Sequence, residues 1–449
     1  MTTAKDSFDR FGDDLCQLLL TYLPIDSRLR LQSVSKQWLA LIFNTETHLV
    51  FDDKLLKLFD KKSLINNKKQ TLNLFKSIVK KCPNITTVII NDFNGDYFKL
   101  LNNKKYCSRL THISLKHIRH NFRNSYGKSF DLFCQRFGKQ LQTFKINGYR
   151  IKGADLWFPK CMNSFRNLKT LDINIQGISM RYDVIFADNK LYSLPKTMKS
   201  FTLRLDNNSI KLFTKFTTTY GQQIKSLNLF GDDLNDENTF NTLTSGLSQM
   251  GQLKQLAISL PYYLVADQII ELLTTIGRRC RQLKQFSYTT IVSRIDLNQI
   301  FVLIAKHMSP QLRRLSVDCY HKYDKQLPLT SDSLKRLHRL THLTLRVYNW
   351  QIIGNSFFSN IYRILPRLQY IHCDCVSINA ESIIALGQLA HLTDVYLVCD
   401  QYKLITNESF LSKHLLIGSN IKQLFIKYWS SHNYVIKPKY FCYGNSNYF

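Results

Sequence analysis

A short pattern, apolar-x-x-apolar-x-apolar, returns thirteen times along this chain and constrains the fold more than any other feature. Its copies begin at Ile85, Leu110, Leu141, Leu168, Met198, Ile224, Leu253, Leu283, Leu312, Leu340, Leu368, Leu392 and Ile421. The twelve steps cover 336 residues, a mean of 28, and single steps run from 24 to 31. The clearest copies are QLKQLAI from Gln252, QLRRLSV from Gln311 and RLTHLTL from Arg339. Alternation of this kind makes a short strand. Between the copies lie stretches with helical spacing, such as 267–280, 297–308, 356–365 and 379–389. A unit of one strand and one helix buries its apolar side only against its neighbours, so the units stack. Helices are wider than strands, so the stack is expected to curve, with strands on the concave face and helices on the convex face. The first, fourth and sixth positions of each copy then point inward and the third, fifth and seventh outward. Leu256, Leu315 and Leu343 are expected to be equivalent buried strand leucines.

Ahead of the repeats, residues 11–42 read FGDDLCQLLLTYLPIDSRLRLQSVSKQWLALI. Apolar residues fall there in three short helical blocks, the first stopped by Pro24. A segment this short cannot bury all of them against itself, and leftover apolar helix faces point to a partner protein. This stretch resembles an F-box. That family opens Leu-Pro-x-Glu-Leu, where this chain has Phe11-Gly12-Asp13-Asp14-Leu15. It closes Val-Cys/Ser-Lys/Arg-x-Trp-x-x-Leu, and Val34-Ser35-Lys36-Gln37-Trp38-Leu39-Ala40-Leu41 matches at each specified position. Gly12 departs from the family's proline. The repeats in turn resemble the leucine-rich repeats that follow an F-box. Together the resemblances imply an α/β leucine-rich-repeat solenoid, a horseshoe, preceded by a small all-α F-box. They imply docking to a Skp-family adaptor and, through it, to a cullin ubiquitin ligase. Phe11, Leu15, Leu19, Leu23, Pro24, Val34 and Trp38 would form that hydrophobic contact and its support.

The expected organisation is an F-box over 1–50, a linker over 51–70, about thirteen repeats over 71–429, and an aromatic tail over 430–449 that caps the last repeat. Residues 44–59 read as helical, with Leu49, Phe51, Leu55, Leu56 and Leu58 on one side. Eleven cysteines at no framework spacing, with Cys82 and Cys280 at positions the repeat buries, suit reduced intracellular thiols. Residues 1–9 lack the apolar core of a secretory signal, and no run nears the ~18 apolar residues of a membrane span. The expected location is therefore intracellular, in cytoplasm, nucleus or both, with no membrane association.

No phosphate loop, nucleophile elbow or metalloprotease motif occurs, so a non-catalytic receptor without cofactor or metal is expected. In His372-Cys373-Asp374-Cys375, alternation sends Cys373 inward and parts it from its neighbours, which argues against a metal site. Arg346, Tyr370, His372, Tyr396 and Phe425 occupy outward strand positions in four successive copies, and such residues dominate binding hot spots. They form the candidate substrate face, for an acidic or phosphorylated protein segment. The net charge is +29; residues 1–50 hold five basic and six acidic residues, so the remainder carries +30. That excess raises an alternative, a basic repeat scaffold for nucleic acid, phosphoinositide or another acidic partner. Along the sequence the lysines look scattered, as at Lys61, Lys62, Lys68, Lys69, Lys80 and Lys81, which favours the protein-substrate reading and sets nucleic acid aside.

Overall fold

The computed structural model describes residues 12–23, 27–28, 31, 36–58, 68–91, 95–103, 105–118, 126–149, 162–176, 194–205, 210–231, 237–260, 265–292, 296–321, 328–347, 353–376, 379–399, 420–428 and 441–442. They fall into two compact units, Met1–Thr202 and Leu203–Phe449.

The first unit starts with two helices that pack together, α1 (Asp13–Thr21) and α2 (Lys36–Thr45). Strand β1 (His48–Phe51) follows, then α3 (Asp53–Leu58), α4 (Lys68–Lys81), β2 (Thr87–Ile90), α5 (Asp96–Leu101) and β3 (His112–Ile118). Next come α6 (Tyr126–Phe137), β4 (Thr143–Tyr149), β5 (Thr170–Gln176) and β6 (Ser200–Leu205), in which the unit ends. Each strand pairs in parallel with the next. Phenylalanines fill the space between strands and helices: Phe51 and Phe75 meet edge to face at 5.1 Å, and Phe98 lies 5.0 Å from Phe133. The helical expectation for residues 44–59 is corrected by β1. Leu49 and Phe51 are buried while His48 and Val50 are exposed, a period of two, and the strand pairs with β2. The spacing of Phe51, Leu55 and Leu58 imitates a helix, but the backbone groups of residues 48–51 find partners across the sheet instead.

The second unit opens with α7 (Ile210–Tyr220) and repeats strand and helix: β7 (Ser226–Gly231), α8 (Glu237–Ser248), β8 (Gln255–Ser259), α9 (Ala266–Arg279), β9 (Gln285–Val292), α10 (Leu297–Met308) and β10 (Arg314–His321). A 3-10 turn (Ser331–Leu334) leads to β11 (His342–Val347), then α11 (Asn355–Phe358), α12 (Ile361–Ile364), β12 (Tyr370–Val376), α13 (Ala380–Gly387), β13 (Asp394–Cys399) and β14 (Gln423–Tyr428). Strands β7 to β14 are parallel neighbours in chain order. In the tail, β15 (Phe441–Cys442) pairs antiparallel with β14; the remaining tail aromatics lie outside the described residues.

The register is that of a leucine-rich-repeat solenoid. Leu227, Leu256, Phe286, Leu315, Leu343, Ile371 and Val395 are successive partners, each at most 2 % exposed. Burial in β11 alternates strictly, so third, fifth and seventh positions face away from the helices. Backbone bonds join second positions from unit to unit: Lys254 N–H donates to Lys225 O at 2.7 Å, Lys284 to Lys254 at 2.8 Å and Arg313 to Lys284 at 2.8 Å. Among the described residues, seven cysteine side chains are buried, Cys82 and Cys280 among them.

Candidate binding surfaces

Helix α1 begins after Gly12, whose carbonyl accepts from Leu15 and Cys16 N–H at 3.1 Å each. Asp13 and Asp14 in its first turn complement the positive end of the helix dipole. One side of α1 is core: Cys16 and Leu20, four apart, are fully buried. The other side carries Leu15, Leu18, Leu19 and Tyr22 at helical spacing, 43, 51, 40 and 78 % exposed. Trp38 on α2 is buried at 4 %, so its indole anchors α2 rather than meeting solvent. Behind them Arg28 donates to Glu46 at 3.0 Å and to Leu23 O at 2.6 Å, while Glu46 also accepts from His48 N–H. This buried link ties the loop after α1 to the start of β1. Of the residues the F-box resemblance names, Leu15 and Leu19 are exposed, Leu23 is half-buried and Trp38 is internal. Phe11, Pro24 and Val34 lie outside the described residues. Gly12 itself has φ −61° and nothing within 4 Å of an added Cβ, a backbone that proline adopts.

In the second unit the strand face gathers the candidate substrate residues. His342 and Tyr370 are register partners and stack at 5.7 Å. Tyr370 lies 5.5 Å from Tyr396, and His372 lies 5.9 Å from Tyr396. The Tyr396 hydroxyl donates to Gln423 Oε1 at 2.6 Å. Phe425 follows Tyr396 in backbone register; its side chain lies outside the described residues. Burial, followed by the neighbouring Tyr396 phenol, pushes the Tyr370 hydroxyl above its usual range.

Arg346 is engaged within the protein. It sits in register between Asp318 and Asp374, one repeat away on each side, and its Nε lies 3.6 Å from Asp374 Oδ2. Asp374 also bonds His372 Nε2 at 2.9 Å. Asp318 Oδ1 is buried without a hydrogen-bond partner, and burial raises its carboxyl, opposed by Arg346. Beside Tyr370 a cleft of about 300 Å³ is lined by Gln255, Gln285, Arg314, His342 and the small fifth-position residues Ala257, Ser287, Ser316 and Thr344. Arg314 at its rim is exposed and forms no ion pair among the described residues. Sequence reasoning passed over it, although it holds the third position of a clear copy. Burial, and then Arg314, lowers the His342 imidazole.

The surface is one of aromatic faces, amides, hydroxyls and a free guanidinium, suited to holding an extended segment across several strands. Burial pushes the thiols of Cys82 and Cys107 in the first unit and of Cys280 in the second up to about 12, which keeps them protonated. No group of three His, Cys, Asp or Glu side chains among the described residues could hold a metal, and Cys373 is buried as alternation requires. No helix among them is long and apolar enough to cross a membrane.

No family model matches the chain, and no curated protein matches it. Among solved structures it is similar to yeast Rad7 in its complex with Elc1, at 14 % identity and TM-score 0.47, over 90 % of this chain and 92 % of that one. It is also similar to an internalin, InlF, of Listeria monocytogenes, at 16 % identity and TM-score 0.33, over 75 % of this chain and 87 % of that one. A third similarity is to the leucine-rich-repeat protein LegL7 of Legionella pneumophila, at 14 % identity and TM-score 0.36, over 66 % of this chain and 93 % of that one.

Proposed function

We propose that this leucine-rich-repeat scaffold is the substrate-recognition subunit of a Skp–cullin–F-box ubiquitin ligase. The observation that carries the reading is the stripe Leu15, Leu18, Leu19 and Tyr22, left exposed on α1 in the segment that resembles an F-box. The adaptor would cover that stripe, with α2 and its buried Trp38 as backing. The strand face of the second unit would hold the substrate. Catalysis is then tethering: a bound substrate meets the charged conjugating enzyme at high effective concentration, and no bond chemistry falls to this chain.

The substrate segment is acidic or phosphorylated. Asp374 already pairs with Arg346, so among the described residues of this face the cation open to an incoming carboxylate or phosphate is Arg314, with Tyr370 and Tyr396 supplying aromatic area on the same face. The test is affinity purification of the full chain and of Arg314→Ala with Tyr396→Ala. Substrate recovery should fall at least tenfold while adaptor recovery stays unchanged. Equal recovery of every co-purifying protein from both forms would remove the strand face from the account.

A further inference from the structure

The basic residues that look scattered along the sequence are segregated once they are placed by position in the repeat. In the second unit, seven described segments lead from a helix or turn to the next strand; 388–393 holds no Lys or Arg, and the other six are 221–225, 249–254, 278–284, 306–313, 335–341 and 363–369. They carry one, one, four, two, three and two Lys or Arg, thirteen in all, and no Asp or Glu. Each of these side chains is exposed or half-exposed, and none forms an ion pair among the described residues. Acidic residues gather at the other end of the elements, where Glu237, Asp267, Asp332 and Glu381 stand in the first turns of their helices.

The helix dipole explains part of this. Arg278, Arg279 and Lys306 sit in last turns, where a cation is favoured. It does not explain Lys225, Lys254, Lys284 and Arg313, which lie beyond the helices at the second position of four successive copies. Their backbones are bonded rung to rung, so the four cations recur about every 4.8 Å over roughly 14 Å. The crowding reaches across helices: burial lowers His307 on α10, and the next causes are Lys306 beside it and Arg278 on α9. Like charges fixed this closely, with no acid between them, repel each other until an anion lies over them.

We propose that this edge of the second unit binds the phosphate backbone of double-stranded nucleic acid without reading its bases. Eight of the thirteen cations are arginines, whose forked donors suit phosphate. The six segments hold no Phe, Tyr or Trp, so they offer no platform for stacking the bases of a single strand. None of the large hydrophobic side chains exposed among the described residues lies on them, so they lack the apolar anchor of a membrane-surface element. A rigid row of cations matches a partner whose charges are themselves regularly spaced.

The experiment is fluorescence anisotropy of a labelled 20-base-pair duplex titrated with the full chain at several salt concentrations. Four neutralised phosphates give a slope of log affinity against log salt of about −3.6, a loss of about a hundredfold between 50 and 200 mM salt. Lys254→Glu, Lys284→Glu and Arg313→Glu together should weaken binding more than tenfold and flatten the slope by ~2.7. The neutral set Lys254→Gln, Lys284→Gln and Arg313→Gln should move both in the same direction and guards against misfolding of the charge-reversed form. Lys128→Glu, Lys211→Glu and Lys215→Glu change net charge equally on helices α6 and α7, and should leave affinity within about twofold. Equal weakening by the ladder and helix variants would overturn the proposal. So would failure to bind duplex, or tighter binding to phosphatidylserine vesicles or polyglutamate than to duplex.

Discussion

Gly277 sets the spacing of two helices in the second unit. In a helix interior alanine is about 1 kcal/mol better than glycine, so Gly277→Ala would stabilise an isolated α9. In the folded chain the added Cβ would stand 2.3 Å from His307 Cβ and 3.0 Å from its carbonyl carbon and oxygen. Those atoms belong to α10 and are held by its backbone, so no side-chain rotation relieves the contact. Carbon atoms need roughly 3.5–4.0 Å, so the helices must part by more than 1 Å or so. Overpacking costs ~1–3 kcal/mol, and a contact this short draws on the upper part of that range. After the helix gain, a net loss of about 2 kcal/mol remains. Urea unfolding followed by circular dichroism reads it as a lower midpoint with unchanged slope. Gly251→Ala is the control, because its nearest neighbour would be Arg279 O at 3.6 Å, an ordinary contact. A midpoint raised by Gly277→Ala would refute the α9–α10 packing described above.

Two further outcomes follow from single sites. Gly12→Pro should be accepted and stabilise the segment by about 0.4–1 kcal/mol, since the backbone already has a proline-like φ and open space; a lower melting temperature in a thermal scan would count against the geometry at the head of α1. Asp318 has a folded-state pKa raised by burial, so the folded chain holds its proton more tightly than the unfolded chain. Its contribution is therefore favourable at acid pH and is lost as pH rises from the ordinary carboxylate range through the raised value. Asp318→Asn should remove that loss, so the variant's stability relative to the parent should increase from pH 4 to pH 7; the opposite trend in denaturant midpoints would show that Asp318 is instead stabilised as an anion.

The sequence made the repeat legible because period-two burial and a 28-residue step reinforce each other. Leu256, Leu315 and Leu343 lie in one buried row for that reason, and Tyr370, His372 and Tyr396 turn outward together. Other features needed three dimensions. Strand β1 was hidden by residues that also fit a helix, and only pairing with β2 decides between the two. Arg346 looked available because Asp318 and Asp374 stand 28 residues to either side of it; folding turns those distances into adjacent rungs. The cationic edge was missed for the same reason. Its signal is visible as KSL, KQL, KQF and RRL in four successive copies, but only when the copies are aligned to one another rather than read along the chain.

The central claim is that the exposed stripe on α1 docks a Skp-family adaptor. The most direct test is the affinity of a purified Skp-family adaptor for the full chain and for Leu15→Ala, Leu18→Ala and Leu19→Ala together, measured by calorimetry. These side chains are exposed, so the variant should keep its circular dichroism and melting temperature, unlike a change at the buried Trp38. Truncating three apolar anchors at about 1 kcal/mol or more each should weaken binding at least a hundredfold. An adaptor that ignores the parent chain, or binds the triple variant just as tightly, would contradict the account.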